Sequence, residues 1–205
     1  MFFRYILLFL LALSFADAEA YVSQALMKKV AEKYDRFAEN RFIDMQDRLD
    51  NLKDKNLTIK LNSINTMFNQ VRYVSDMRNY NMSDYWATPW EFLARDAGDC
   101  EDYVIAKYFA LKYLGIDPTK MYFTYVKSTM FKEAHMVLTY FETPDSEPLI
   151  LDNNNRLVLP ASKRPDLIPI YNFNGDMLSN ASKKANKKTT KKWDELIQNT
   201  QKGKI

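Results

Sequence analysis

Gly98-Asp99-Cys100-Glu101-Asp102 has the composition of a helix start, with a capping residue, acids in the first turn and an apolar interior that runs on until Gly115 closes it. After Pro118 the apolar period falls to two. Residues 121–126, 134–141 and 148–152 then alternate as strands, separated by polar breakers at 127–133 and 143–147. A helix followed by three strands on short connections predicts an antiparallel sheet behind the Cys100 helix, an α+β arrangement.

Upstream, residues 21–51 carry Val22, Leu26, Val30, Tyr34, Phe37 and Phe42 near a 3.6 period and read as one helix. Residues 57–72, with Leu61, Ile64, Phe68 and Val71 on one face, read as a second. Residues 73–95 are irregular, aromatic and polar, and Pro89 marks the entrance of a short helix. The first twenty residues stand apart. Arg4, an apolar run to Phe15 and the small-x-small steps at 16–18 and 18–20 form a secretory leader, cleaved after Ala18 or Ala20, which places the mature chain in the periplasm. The same run also suits an uncleaved anchor.

The body is expected over residues 21–176. From 177 to 205 the chain turns polar and lysine-rich and reads as a solvated tail ending in a short helix around Trp193, with no nucleic-acid partner expected. Only four glycines speak against a glycine-rich nucleotide loop.

The chain has one cysteine and one histidine. An exported chain with a single cysteine forms no internal disulfide, which leaves a reactive thiol, an intermolecular link or a buried structural side chain. A nucleophilic thiol needs its pKa lowered, and the first turn of a helix favours an anion through its backbone N–H groups and macrodipole. Cys100 sits there, and the same N–H groups suit a tetrahedral oxyanion. His135, near the start of a strand, is the base that a thiol nucleophile requires. Asp152 ends the following strand, where it can orient the imidazole or simply initiate the Asn153–Asn155 turn. Asp99, Glu101 and Asp102 offer three carboxylates to a hard cation such as Ca²⁺, or else cap the helix and compensate its dipole. Trp86 offers an indole N–H as an oxyanion donor, with core packing as the alternative.

The blocks Asp84–Leu93, Ala97–Tyr103, Ile105–Phe109, Ala134–Leu138, Leu151–Asn153, Arg164–Leu167 and Pro169–Tyr171 resemble the bacterial transglutaminase-like cysteine proteases of the periplasmic LapG type, over roughly residues 68–173. The resemblance implies a papain-like, transglutaminase-like fold. Cys100, His135 and Asp152 fall on the family triad, and Asp99, Glu101 and Asp102 match its calcium-binding acids. Trp90 and Tyr103 fall at positions free to vary. The resemblance further implies a calcium-dependent endopeptidase that cuts a large surface adhesin near its N-terminus, at an Ala-Ala type site, and so releases it in biofilm control. An inner-membrane cyclic di-GMP receptor is the implied inhibitory partner. The same triad also serves a transglutaminase or amidase, and a binding protein without activity could keep the fold.

Overall fold

Ser23 accepts a hydrogen bond from the Leu26 N–H and starts α1 (Gln24–Lys33), and Asp35 accepts one from the Ala38 N–H and starts α2 (Arg36–Leu52). The single helix expected over 21–51 is therefore two. Tyr34 is extended, and the Asp35 carboxylate satisfies an amide that a new helix would otherwise leave unpaired. The computed structural model describes residues 20–130, 134–176 and 187–205, so the expected leader at 1–18 lies outside the described residues. Among the described residues no helix is long and apolar enough to cross a membrane.

Asn56 caps α3 (Leu57–Phe68), which stops short of the expected Arg72 because that residue enters a two-residue strand, β1 (Arg72–Tyr73). β1 pairs in parallel with β2 (Ala97–Gly98). Between them lie α4 (Asp76–Tyr80) and α5 (Pro89–Arg95), the latter opened by a Thr88–Glu91 capping box with proline in the first turn, as expected. Asp96 then takes the left-handed conformation, φ 50°, and turns the chain into β2. At Gly98 an added Cβ would lie 2.5 Å from the Phe92 ring and 2.6 Å from Asp102 Oδ2, so only glycine fits just ahead of Asp99 and Cys100.

α6 (Cys100–Tyr113) is buried on nearly every side, from Asp102 to Leu111, because α3, α5 and the sheet all pack on it. The sheet contains β3 (Met121–Ser128), β4 (Ala134–Tyr140), β5 (Leu149–Leu151), β6 (Leu159–Pro160) and β7 (Leu167–Phe173). Its order is β6-β5-β4-β3-β7, with every pair antiparallel. The expected α+β layers are present, with β4 against α6. β7 escapes a pattern reading because Ile168, Ile170 and Tyr171 are exposed and the register shifts between Tyr125 and Val126.

The lysine-rich tail differs most from expectation. Residues 187–201 form α7 (Lys187–Gln201), which inserts Trp193 and Leu196 into the main core. The Trp193 ring meets Tyr108 at 5.6 Å and Phe123 at 5.2 Å edge-on, and stacks on Phe109 at 6.2 Å. Trp90, at a position expected to vary freely, is buried and donates its indole N–H to the Thr200 carbonyl at 3.0 Å. Tyr103 is likewise buried, with its hydroxyl on the Val71 carbonyl at 2.5 Å. The body therefore extends past residue 176. Trp193→Ala is expected to cost roughly 3–5 kcal/mol of unfolding free energy in chemical denaturation. A loss under about 1 kcal/mol, typical of a surface change, would return this segment to the status of a tail.

Candidate active site

Cys100 is half-buried at the first position of α6. The backbone of Met136 on β4, one residue past His135, faces the sulfur and favours its thiolate. On its other side the sulfur lies 3.1 Å from Glu101 Oε2, with the thiol as donor. Burial pushes the thiol pKa up, and the carboxylates of Glu101 and Asp99 push it further, against the helix dipole.

His135 and Asp152 are both buried, and Nε2 of the ring lies 2.8 Å from Asp152 Oδ1. β4 and β5 bring them together: Leu138 pairs with Leu151, so Asp152 leaves β5 alongside the residues that follow His135. Burial alone would raise the Asp152 carboxyl. Hydrogen bonds from His135, from the Asn154 N–H at 2.9 Å and from Arg164 Nη2 at 2.7 Å outweigh it and hold the group down at about 2. An ionised Asp152 can only accept, so the neutral imidazole carries its proton on Nε2 and leaves the Nδ1 lone pair free for a thiol proton. Behind the pair, Asn69 Nδ2 donates to the carbonyls of Asp152 at 2.8 Å and Asn155 at 2.9 Å. Asn65 pins the same turn through the Asn155 carbonyl at 2.9 Å, and accepts at 2.8 Å from the buried Lys107, whose pKa burial lowers to about 7.

The acids around Cys100 fall into two groups. Oxygens of Asp76, Asp99 and Asp102 converge within 4.8 Å, and so do those of Asp76, Asp84 and Glu101. Asp102 Oδ1 accepts from the Ala87 N–H at 2.9 Å, and Oδ2 accepts from the Asp99 N–H at 3.3 Å, which is half of the expected capping relation. Asp76 Oδ1 and Asp99 Oδ1 are buried without a partner among the described residues. Burial, with repulsion from Glu101 and Asp76, raises Asp99 to about 8. Burial above all raises Asp76 to about 6, and burial followed by Asp99 raises Asp102 well above the carboxylate range. Buried, mutually repelling carboxylates with orphaned oxygens and no softer donor fit a hard cation of the calcium type.

A sequence model of the bacterial transglutaminase-like cysteine proteinases matches residues 34–167. The chain belongs to that family. Among solved structures it is similar to Legionella pneumophila LapG, at 37% identity over 86% of this chain and 94% of that one, with a TM-score of 0.73. EGTA-treated LapG from the same organism matches at 38% identity over 86% and 96% of the two chains, TM-score 0.73. Calcium-bound LapG matches at 38% identity over 84% and 96%, TM-score 0.70. Among curated proteins none matches. Membership makes this chain a cysteine endopeptidase with the transglutaminase-like fold, as its sequence implied.

Within this family member, the structure joins His135 on β4 to Asp152 at the end of β5, and sets Cys100 of α6 against the Met136 backbone next to His135, with its thiol on Glu101. It does not gather Asp99, Glu101 and Asp102 as one set: Glu101 turns toward the thiol, Asp76 and Asp84. Asp76 and Asp84 escaped the sequence reading because they lie some twenty residues upstream in an irregular stretch. They are brought in by the Asp76 N–H on Asp99 Oδ2 at 3.4 Å and by the Tyr85 N–H on Asp76. Arg164 was visible only as part of a motif block. Trp86 stacks on Phe173 with ring centroids 6.0 Å apart, and the ammonium of Lys192, which also pairs with Asp84, lies 5.2 Å over its ring. The Trp86 indole N–H is buried without a partner among the described residues, which accords with either packing or donation to a bound group.

Proposed function

We propose that this cysteine endopeptidase works in the periplasm, depends on calcium, and cuts a large surface adhesin near its N-terminus at an Ala-Ala type site, releasing it from the cell. The observation that carries the catalytic half of this reading is the Asp152–His135 hydrogen bond, one residue along β4 from the Met136 backbone that faces the Cys100 sulfur. Nδ1 of His135 takes the thiol proton, and Cys100 Sγ attacks the scissile carbonyl carbon. The resulting oxyanion lies toward the first-turn N–H groups of α6, with the Trp86 indole as a second donor. Collapse breaks the C–N bond, the imidazolium returns its proton to the leaving amine, and a water deprotonated by His135 hydrolyses the thioester.

Asp76, Asp99 and Asp102, with Glu101 and Asp84 beside them, would hold the calcium ion. It would supply positive charge that offsets the carboxylates opposing the thiolate. The leader-like residues 1–18 support export. The adhesin substrate and an inner-membrane cyclic di-GMP receptor as inhibitor come from the family resemblance. Incubating the protein with adhesin N-terminal segments should give two fragments, split between adjacent alanines by mass spectrometry. Substituting both alanines with a bulky residue should stop the cut. Cleavage elsewhere, or transfer to an added amine in place of hydrolysis, would refute this assignment.

A further inference from the structure

We propose that Arg164 is a positioning residue of this protease: by holding Asp152 ionised and fixed, it sets the tautomer in which His135 keeps Nδ1 free for the Cys100 thiol. The inference rests on the triad reading above and goes beyond it by adding a member that touches neither the thiol nor the imidazole.

Arg164 follows the turn Ala161–Lys163 and is 6% exposed. Its Nε lies 3.0 Å from Asp166 Oδ1 and its Nη2 lies 2.8 Å from Asp166 Oδ2, so Asp166 fixes the plane of the guanidinium. Nη2 also lies 2.7 Å from Asp152 Oδ2. Asp152 Oδ1 is left to His135 Nε2 and the Asn154 N–H. The two carboxylate oxygens are thus engaged from opposite sides, and a flip of the group would break bonds on both.

Among the described residues, Nε2 of His135 has two polar neighbours, Asp152 Oδ1 at 2.8 Å and the Asn154 side-chain nitrogen at 3.5 Å. The first can only accept while Asp152 is ionised, and the second can only donate. Their competition decides where the ring proton sits. With Arg164 present, the carboxylate wins and Nε2 is protonated. Without that cation the buried carboxyl keeps the hydrogen bonds from His135 and Asn154 but loses the charge on its far oxygen, and shifts toward taking up a proton and becoming a donor itself. Both neighbours would then offer protons to Nε2, Nδ1 would carry the ring hydrogen, and the thiol would lose its acceptor. A buried ion pair that merely ties β5 to the 161–166 turn would have no such effect on the ring.

His135 is the only histidine, so the imidazole ¹⁵N signals report this residue alone. Full-length Cys100→Ala protein in calcium-containing buffer should show the Nε2–H form at neutral pH, and adding Arg164→Met should move the balance toward Nδ1–H. With Cys100 intact, Arg164→Met should lower kcat by about 10²–10⁴-fold, the range expected for a wrong tautomer, with KM nearly unchanged. Arg164→Lys keeps the charge without the fork and should fall between. An unshifted tautomer with an unchanged kcat in Arg164→Met overturns the proposal. Asp152→Asn separates the two layers. If it is fully active, the triad reading itself fails; if it is inactive while Arg164→Met is unaffected, only the role of Arg164 fails. Should Arg164→Met not fold, Asp166→Ala releases the guanidinium while leaving it in place. That variant should show a mixed tautomer and a several-fold lower kcat, and wild-type values for both overturn the proposal equally.

Discussion

Cys100→Ala is expected to remove all detectable cleavage while leaving the fold intact. The side chain is half-buried at a helix start, so losing one sulfur atom changes packing little, by about 1 kcal/mol or less. Chemically the loss is total, because no other thiol exists in the chain. A triad acts as a unit, so a drop on the order of 10⁴-fold or more is expected. His135→Ala added to Cys100→Ala should then cost nothing further. Turnover by Cys100→Ala above buffer would remove Cys100 as nucleophile, and losses that multiply in the double variant would separate His135 from it.

Chelation is expected to have the next largest effect. With Asp76, Asp99 and Asp102 deprived of a cation, burial and mutual repulsion push them toward their protonated forms, and whatever charge they keep opposes the thiolate. Cleavage should stop in excess chelator and return with added calcium. Mg²⁺ should restore it poorly, since it demands a tighter octahedral shell and gives up water reluctantly. Calcium should also stabilise the native state, by about 2.7 kcal/mol at a hundred times its dissociation constant, and raise the melting temperature with concentration. Asp76→Asn and Glu101→Ala should each weaken activity and this stabilisation together. If the acids serve only as caps, their loss should cost roughly 0.5–2 kcal/mol regardless of calcium. Full activity in chelator with an unmoved melting curve would refute the metal reading.

What could be read along the chain was local. α6 announced itself because its capping acids, its apolar interior and Gly115 are contiguous. β3, β4 and β5 did so because alternation over a few residues is a local signal. The break at Asp35 was missed although its residue type is a common cap, because the apolar period continues across it. β7 was missed because an edge strand carrying Pro169 and exposed on most of its length has no burial alternation to show. α7 was misjudged because eight lysines after residue 182 outweigh one tryptophan in any local average. Burial of Trp193 among Tyr108, Phe109 and Phe123 depends on side chains some seventy or more residues away.

The sequence alone determined the chemistry on offer: a single thiol at a helix start, a single imidazole on a strand, a carboxylate at the end of the next strand, and acids flanking the thiol. Those are properties of residue type and of short-range order, which the chain carries wherever it goes. Tertiary structure decided which of these groups meet. It joined His135 to Asp152 through strand register and set Arg164 on the far oxygen of that carboxylate. It also brought Asp76 and Asp84 to acids that follow them by some twenty residues, and turned Glu101 toward the sulfur. Hydrogen bonds and charge interactions at these sites act over a few ångströms, while Asp152 stands 12 positions from Arg164 and 17 from His135, and Asp76 stands 23 from Asp99. Only the packed fold converts the one distance into the other.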